Sequence, residues 1–171
     1  MATPDFVLEL RRLVGTAPLS LVGVTAVIVR GDEILLGRRS DNGALTPITG
    51  IVDPGEEPAD AAAREALEEA GVRIRVDRLA WVHQMPRLTY GNGDVVDYLD
   101  LVFRCTWIEG EPYPADGEMT EVAWHPLDDL GGVQEQHLRR IEAALEDADG
   151  GGTAPTRFEG GSADERVEAA R

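Results

Sequence analysis

The chain has 171 residues, 43% of them hydrophobic, which is enough for one globular domain with short extensions. Its formal net charge is −16, with 32 acidic residues against 16 basic ones that are all arginine, and such a surface repels nucleic acids and anionic membranes. No apolar run approaches the roughly 20 residues that span a bilayer, and the single Cys105 cannot form an internal disulfide, so we expect a cytoplasmic protein without a membrane or nucleic-acid partner.

The first half of the chain predicts an amphipathic helix, a strand hairpin and a second helix. Apolar residues recur with helical spacing over 5–14. The Val-, Ile- and Leu-rich run 19–29, a Gly-Asp turn and the run 34–36 predict two buried strands. Pro58 and Gly71 bracket the second helix, because proline is tolerated at the first position of a helix and glycine favours its end.

The second half predicts further strands, a third helix and a tail. Apolar runs are separated by a Gly-Asn-Gly-Asp turn, and helical periodicity returns near the end. The predicted segments are a strand over 72–76 that 79–83 continues, strands over 95–105 and 120–124, and a helix over 133–148. From residue 149 the composition becomes glycine-rich and charged, which predicts a disordered acidic tail over 149–171.

Strands interleaved with helices predict an α+β fold, in which helices cover both faces of a mixed β-sheet. We expect a helical segment over 1–17, one domain over 18–148 and the tail over 149–171. The helix at 5–14 has two open explanations. It covers either the sheet or an interface in a homodimer.

The helix at 58–70 carries a cluster of carboxylates. Glu65, Glu68 and Glu69 have i, i+3 and i+4 spacing, which predicts that they share one face, opposite an arc of alanine and leucine. Carboxylates so close together repel one another. They are typical either of a solvated face or of a site for a hard cation such as Mg²⁺, which prefers oxygen ligands.

The spacing of the surrounding residues favours the cation site. The segment 50–72 reads Gly-x5-Glu-x7-Arg-Glu-U-x-Glu-Glu-x-Gly-U, with apolar residues at both U positions, and resembles the Nudix box at every defined position. The resemblance implies an enzyme of the Nudix (MutT-like) family, an α/β/α sandwich fold and hydrolysis of a phosphoanhydride in a nucleotide-like substrate. It also implies Mg²⁺ as the cofactor, with Mn²⁺ as a substitute.

The resemblance also assigns roles within the box. The implied set is Glu65, Glu68 and Glu69 as metal ligands, Glu65 also as general base, Glu56 as support of the metal shell, and Arg64 as the residue that orients a glutamate. Many members have Pro-Gly-Gly where this chain has Ile-Thr-Gly, and the backbone carbonyl of Thr49 takes the metal-binding place before the box glycine.

Outside the box the family uses a further acid from a distant loop. Glu118 is our choice, with Asp116 and Glu121 as alternatives, because Glu118 precedes the strand predicted at 120–124. The candidates for contacts with phosphate or base are Arg38, Arg39, Arg87, Tyr90, Tyr98 and Trp81. For each acid the alternative is a solvated loop position, and for each aromatic it is a place in the core, which we favour.

The substrate is less constrained. Pro86 and Tyr90 match approximately the marks of members that cleave ADP-ribose and dinucleoside polyphosphates, respectively, so neither discriminates. We favour a nucleoside diphosphate linked to another group, such as ADP-ribose or a nucleotide sugar. The alternatives are a (d)NTP pyrophosphohydrolase and, from another class, a nucleotide sensor without turnover. An isopentenyl diphosphate isomerase of related fold is disfavoured because Cys105 falls late in the chain.

Overall fold

The computed structural model describes residues 3–146 and 154–160. Within these residues the chain forms three helices and nine strands. The helices are α1 (Asp5–Val14), α2 (Pro58–Ala70) and α3 (Glu135–Leu145). The strands are β1 (Leu19–Arg30), β2 (Glu33–Arg39), β3 (Leu45–Thr46), β4 (Ile48–Ile51), β5 (Arg73–Gln84), β6 (Leu88–Thr89), β7 (Val95–Glu109), β8 (Met119–Pro126) and β9 (Arg157–Phe158).

All nine strands belong to one mixed sheet, which confirms the predicted sheet type. The main path runs in the order β3-β2-β1-β7-β5-β9, with β4, β6 and β8 paired to β1, β7 and β2. β1 and β7 pair in parallel, whereas β2 and β4 pair with β1, and β5 with β7, in the antiparallel sense. The predicted hairpin of β1 and β2 is confirmed.

The central strand β1 is buried on both faces, and its side chains alternate between two cores. Val24, Ala26 and Ile28 pack in the cluster that contains the alanines of α2. Val27 and Val29 point to the opposite face, where they pack in the cluster that contains the apolar side of α3. This period-two division confirms the expected α/β/α sandwich.

Helix α1 closes one end of the sheet. Its Val7 is buried with Leu21 of β1, Ile51 of β4 and Val96 of β7, so the first explanation of this helix, a cover for the sheet, is confirmed. A homodimer remains a prediction. No helix in the described part of the chain is both long and apolar enough to cross a membrane.

The C-terminal region differs from the disordered tail predicted over 149–171. Residues 154–160 lie against the sheet, where β9 pairs in parallel with β5 at Trp81 and Val82. Ala154 is buried, and the hydroxyl of Thr156 donates a hydrogen bond to the Leu79 carbonyl at 2.9 Å. The composition of this segment did not predict the contact, because it depends on backbone hydrogen bonds to a sheet edge. A segment with few apolar side chains can form such bonds. The rest of the predicted tail lies outside the described residues.

One other boundary also differs from the sequence prediction. The run at 79–83 continues the strand predicted at 72–76, as expected, and the two form β5, whose register against β7 shifts at several points. Helix α3 begins at Glu135 rather than at 133, because Gln134 has an extended backbone and Val133 forms a bridge with Leu45. The last predicted turn of α3, at 147–148, lies outside the described residues.

Candidate active site

Helix α2 places the glutamates of the 50–72 segment. It begins at Pro58, as predicted, and ends before Gly71, which has the left-handed conformation that glycine adopts readily. Its buried stripe includes Ala62, Glu65, Ala66 and Glu69, at i, i+3, i+4 and i+7.

The prediction that the glutamates lie opposite the buried side of α2 is therefore wrong for Glu65 and Glu69. Glu65 and Glu69 are only 7% and 2% exposed and lie on the buried side of α2. Glu68 is exposed, and so is Leu67, which we had placed on the apolar arc. The pattern misled because alanine and leucine were taken to mark the core, whereas two carboxylates occupy part of the stripe that faces the sheet.

Arg64 binds three carboxylates at once. Its guanidinium contacts Glu56 at 2.8 and 2.9 Å, Glu65 at 3.0 Å and Glu68 at 3.1 Å. It also donates to the Ile51 carbonyl at 3.1 Å, which ties α2 to β4. The hydrogen bonds from Arg64 hold the pKa of Glu56 below its ordinary value. These contacts fix the Glu65 side chain, as expected for a residue that orients a glutamate.

Gly50 gives Glu65 its space. A Cβ atom at Gly50 would lie 2.1 Å from the Cδ and Cγ atoms of Glu65, so a side chain at residue 50 is incompatible with this placement. Burial raises the pKa of Glu65, although the charge of the adjacent Arg64 opposes the shift. Glu65 is thus an ionisable group held in a fixed position.

A second group of acids forms around Glu69. Ligand oxygens of Glu69, Asp116 and Glu118 all lie within 4.8 Å of one another. The buried Oε2 of Glu69 has no hydrogen-bond partner among the described residues. Burial, together with the charges of Glu65 and Asp116, raises the pKa of Glu69 to about 8. An all-oxygen set with an unsatisfied buried carboxylate fits a hard divalent cation such as Mg²⁺.

A cavity of about 520 Å³ opens beside β4. The backbone of residues 49–51 forms part of its wall, together with Tyr90, Tyr98 and Arg39. A shallower acidic groove of about 710 Å³ runs along the glutamates and is lined by Asp5, Phe6, Asp53, Arg64, Glu65, Glu68, Asp116 and Glu118 among others. Ile51 lines both hollows, so the groove and the cavity both border the start of the 50–72 segment.

A buried polar network forms one side of the cavity. Asp100 accepts hydrogen bonds from Thr25 at 3.0 Å and from Arg140 at 2.7 Å, and it contacts the His83 ring nitrogen at 3.0 Å. Burial opposes ionisation of Asp100, but His83 and Arg140 outweigh it and hold its pKa below the ordinary value. Arg140 also donates to Nδ1 of His137 at 3.0 Å.

Sequence reasoning missed this network. The only local signal was Asp100, a charged residue within the apolar run of β7. Burial and the nearby charge of Arg140 lower the pKa of His137 to about 4, so its ring is neutral at neutral pH. With Nδ1 accepting from Arg140, the proton of the neutral ring resides on Nε2.

Comparison with known proteins decides the family. A family model described as NUDIX domain matches residues 19–146. The chain belongs to the Nudix family. It is accordingly a hydrolase of the kind that acts on phosphorus anhydrides.

Individual relatives agree with this assignment. A MutT-like protein from Streptomyces ambofaciens is 35% identical over 133 residues, which cover 77% of this chain and 80% of the relative. The NAD-capped RNA hydrolase NudC of Pseudomonas syringae pv. syringae (strain B728a) is 32% identical over 109 residues, but these cover only 35% of that protein. Among solved structures, a NUDIX hydrolase from Nitrosomonas europaea superposes with a TM-score of 0.60 at 26% identity, covering 73% of this chain and 88% of that one.

The glutamates of the Nudix box divide between the acidic cluster around Glu69 and the carboxylates that contact Arg64. Glu69 lies with Asp116 and Glu118, so the structure brings our chosen distant acid, Glu118, to the box helix. Glu65, Glu68 and Glu56 contact Arg64 instead. Thr49, whose carbonyl was the remaining predicted ligand, pairs with Thr25 of β1 and lines the cavity.

The other predicted contacts are dispersed. Arg39, Tyr90 and Tyr98 line the cavity of the Nudix domain, and Arg39 pairs with Asp41 at 2.7 Å. The remaining candidates lie elsewhere: Arg38 pairs with Glu121 at 3.4 Å, Arg87 pairs with Asp97 on the exposed surface, and Trp81 is buried and stacks on His83.

Proposed function

We propose that this Nudix hydrolase is a Mg²⁺-dependent enzyme that cleaves the diphosphate of a nucleoside diphosphate linked to another group, of the ADP-ribose or nucleotide-sugar type. The observation that carries the proposal is a charge-balanced cavity beside an acidic groove, with Ile51 in the lining of both. A substrate of this type has a neutral nucleoside at one end, two phosphates in the middle and a second group beyond them.

The cavity suits the neutral nucleoside. Each arginine in its wall already has a carboxylate partner: Arg11 with Asp94 at 3.4 Å, Arg39 with Asp41 at 2.7 Å and Arg140 with Asp100 at 2.7 Å. A phosphate would find no uncompensated positive charge there. The rings of Tyr90 and Tyr98 offer surfaces for stacking, and His137 offers a hydrogen-bond donor.

The groove suits phosphates only through a cation. Its lining carboxylates greatly outnumber its single basic residue, Arg64, which is already bound to three glutamates. A triphosphate carries more negative charge than a diphosphate diester and is repelled more strongly. The acidic groove therefore favours a diphosphate whose second group is uncharged, such as a sugar.

The names of several relatives agree with this substrate class. The NudC relatives are named for NAD caps, and NAD is itself a nucleoside diphosphate joined to a second nucleoside. This chain spans only about a third of their length, and its net charge of −16 argues against capped RNA itself as substrate. Free NAD therefore belongs among the substrates to be tested.

We assign the chemistry to two sets of residues. Glu69, Asp116 and Glu118 would hold the cation. When bound, a divalent cation neutralises phosphate charge and polarises the attacking water. Glu65, which Arg64 and Gly50 hold in place, accepts the proton of that water at its side-chain carboxylate, and its raised pKa makes it a stronger base than an ordinary glutamate.

The first experiment measures hydrolysis of ADP-ribose, nucleotide sugars, NAD, dinucleoside polyphosphates and (d)NTPs with and without Mg²⁺, with products separated by chromatography. We expect a nucleoside monophosphate and a phosphorylated second group, and no turnover in EDTA. Release of pyrophosphate from a triphosphate would establish the (d)NTP alternative instead. Thermal stabilisation by a nucleotide without any turnover would establish a sensor.

Two matched variants separate the two roles. Glu65→Gln removes the base but none of the three cluster carboxylates, so we expect kcat to fall by about 10²–10⁴ with Mn²⁺ affinity retained. Glu69→Gln removes a cluster ligand, so we expect Mn²⁺ affinity itself to fall. Equal effects of both variants on Mn²⁺ affinity would contradict this division of roles.

A further inference from the structure

The loop at residues 110–118, between β7 and β8, docks on the C-terminal end of α2. The backbone N–H of Tyr113 donates to the Ala70 carbonyl at 3.1 Å, and that of Ala115 donates to the Glu69 carbonyl at 3.1 Å. The last carbonyls of a helix have no partner within the helix, so these two bonds satisfy groups that α2 leaves open. The loop thus caps the same helical turn that carries the Glu69 side chain.

The ring of Tyr113 fits against Gly71. A Cβ atom at Gly71 would lie 2.2 Å from Cε1 and 2.8 Å from Cδ1 of Tyr113, so the ring occupies the space that the missing side chain leaves. Gly110 is equally close, because a Cβ there would lie 2.6 Å from the Gly71 carbonyl oxygen. The loop and the end of α2 are therefore in direct contact at both Gly110 and Tyr113.

The same loop supplies two of the three clustered acids. Asp116 and Glu118 follow Tyr113 closely, and the carboxylate of Asp116 accepts the Glu118 backbone N–H at 2.9 Å. The far end of the loop is fixed by Ser40, whose backbone N–H and hydroxyl both donate to the Glu118 carbonyl, at 2.9 and 2.7 Å. The distance between Glu69 and the loop acids therefore depends on two anchors of the loop, its contacts with α2 at one end and those with Ser40 at the other.

We propose that Tyr113 is a positioning residue, which holds the loop acids against Glu69 and thereby sets the affinity for the divalent cation. The inference rests on the proposed function in one respect, that Glu69, Asp116 and Glu118 hold that cation. Tyr113 itself contributes the ring that covers Gly71 and the backbone hydrogen bond to the Ala70 carbonyl, and Ala115 contributes the second bond, to the Glu69 carbonyl. Without the ring, the loop is docked on α2 in a smaller fraction of molecules. The apparent affinity for the cation falls in proportion to this docked fraction.

The test is a Mn²⁺ titration of the full chain without substrate, followed by electron paramagnetic resonance. We expect the dissociation constant to rise about tenfold or more in Tyr113→Ala and to stay at the wild-type value in Tyr113→Phe, which keeps the ring. Phe158→Ala removes an exposed aromatic ring far along the chain and is the matched control. With Mg²⁺ and substrate, the half-activating metal concentration should rise by the same factor while kcat at saturating metal is retained.

The outcomes for Tyr113 and for the cation site are distinguishable. Wild-type affinity in Tyr113→Ala, together with lost affinity in Glu69→Gln, would overturn the role of Tyr113 and leave the cation site standing. Unchanged affinity in Glu69→Gln would overturn the cation site itself. If Tyr113→Ala does not fold, Tyr113→Leu, which keeps apolar bulk without the ring, is titrated in its place, and the same two results decide.

Discussion

Arg64 shows how a helix can carry glutamates on its buried side. Its guanidinium holds Glu56, Glu65 and Glu68 and also bonds the Ile51 carbonyl, so negative charge at this end of the groove is partly compensated within the chain. Glu69, whose nearby side chains are the acids Asp116 and Glu118, has a pKa that burial and neighbouring negative charge raise to about 8. Glu65 and Glu69, four residues apart on one helix, thus differ in their partners, an arginine for Glu65 and other acids for Glu69.

Breaking the buried pair of Arg140 and Asp100 should destabilise the protein strongly. Arg140→Met leaves Asp100 in the interior without its guanidinium partner, and we expect a loss of about 3–5 kcal/mol in the free energy of unfolding. Urea denaturation measures it. The matched control is Arg87→Met, which breaks a pair with the same 2.7 Å separation on the exposed surface and should change stability little. Equal losses would contradict the prediction.

His137 should make stability depend on pH in mildly acidic solution. Its pKa is about 4 in the folded chain against an ordinary value of 6.5, so between these values the unfolded chain binds a proton that the folded chain does not. The contribution of His137 to the free energy of unfolding is therefore fully present above about pH 6.5 and is lost as the pH drops towards 4, whereas the raised pKa of Glu69 acts in the opposite direction.

The measurement is denaturation at a series of pH values, with His137→Gln as control. Glutamine offers an oxygen that can accept the Arg140 hydrogen bond but does not titrate, so between pH 6.5 and 4 the free energy of unfolding of the wild type should fall relative to that of the variant. An NMR titration of the His137 ring that places its pKa near 6.5 would contradict the prediction.

At the scale of elements, sequence patterns predicted the helices and turns that local interactions determine. Helix α1, helix α2 with its Pro58 start and Gly71 end, and the β1–β2 hairpin follow from spacing and turn chemistry alone. The strand runs were also recognisable, including the continuation of 72–76 into 79–83 within β5, although the register shifts of β5 against β7 were not.

The parts that could not be predicted depend on tertiary contacts. Asp100 and Arg140 lie on a strand and a helix that only the fold brings together. The orientation of Glu65 and Glu69 towards the sheet depends on Gly50 and Arg64, which no periodicity describes. Whether Glu118 or Glu121 lies beside Glu69 depends on the loop that docks on α2, and the structure has Glu118 there.

The β9 segment should stabilise the sheet without contributing to catalysis. Truncation after residue 146 removes the pairing with β5 and the bond from Thr156 to the Leu79 carbonyl. We expect a lower thermal midpoint and faster hydrogen exchange along β5. The kcat/KM should be retained, because no residue of β9 lines the cavity or the groove. Retained thermal stability would show that β9 contributes little.

At the scale of the whole molecule, the dominant property is negative charge. The formal net charge of −16 surrounds an active site whose proposed substrate is also an anion. Long-range repulsion slows the approach of such a substrate, and a bound cation relieves it only at short range. The charge therefore restricts encounter rather than the chemical step.

Activity should consequently rise with salt at low ionic strength. At a fixed free Mg²⁺ concentration, raising NaCl from about 10 to about 150 mM shortens the Debye length from about 30 to about 8 Å and screens the repulsion. We expect kcat/KM to increase over this range while kcat changes little, as measured by initial rates. A decrease in kcat/KM would indicate that attractive charges near the cavity control the encounter.

The parallel pairing of β1 with β7 also has a consequence for how the chain folds. β1 pairs with β7 along 19–29 and 96–106. Along the chain, helix α2 comes between these two strands. During synthesis, β1 therefore cannot pair with β7 until most of the domain has left the ribosome. Closing so long a loop is slow, and until then the Val- and Ile-rich β1 has one exposed edge, opposite β2 and β4, that other chains can join. Folding yield should thus be most sensitive to chaperones and to temperature while β7 is still being made.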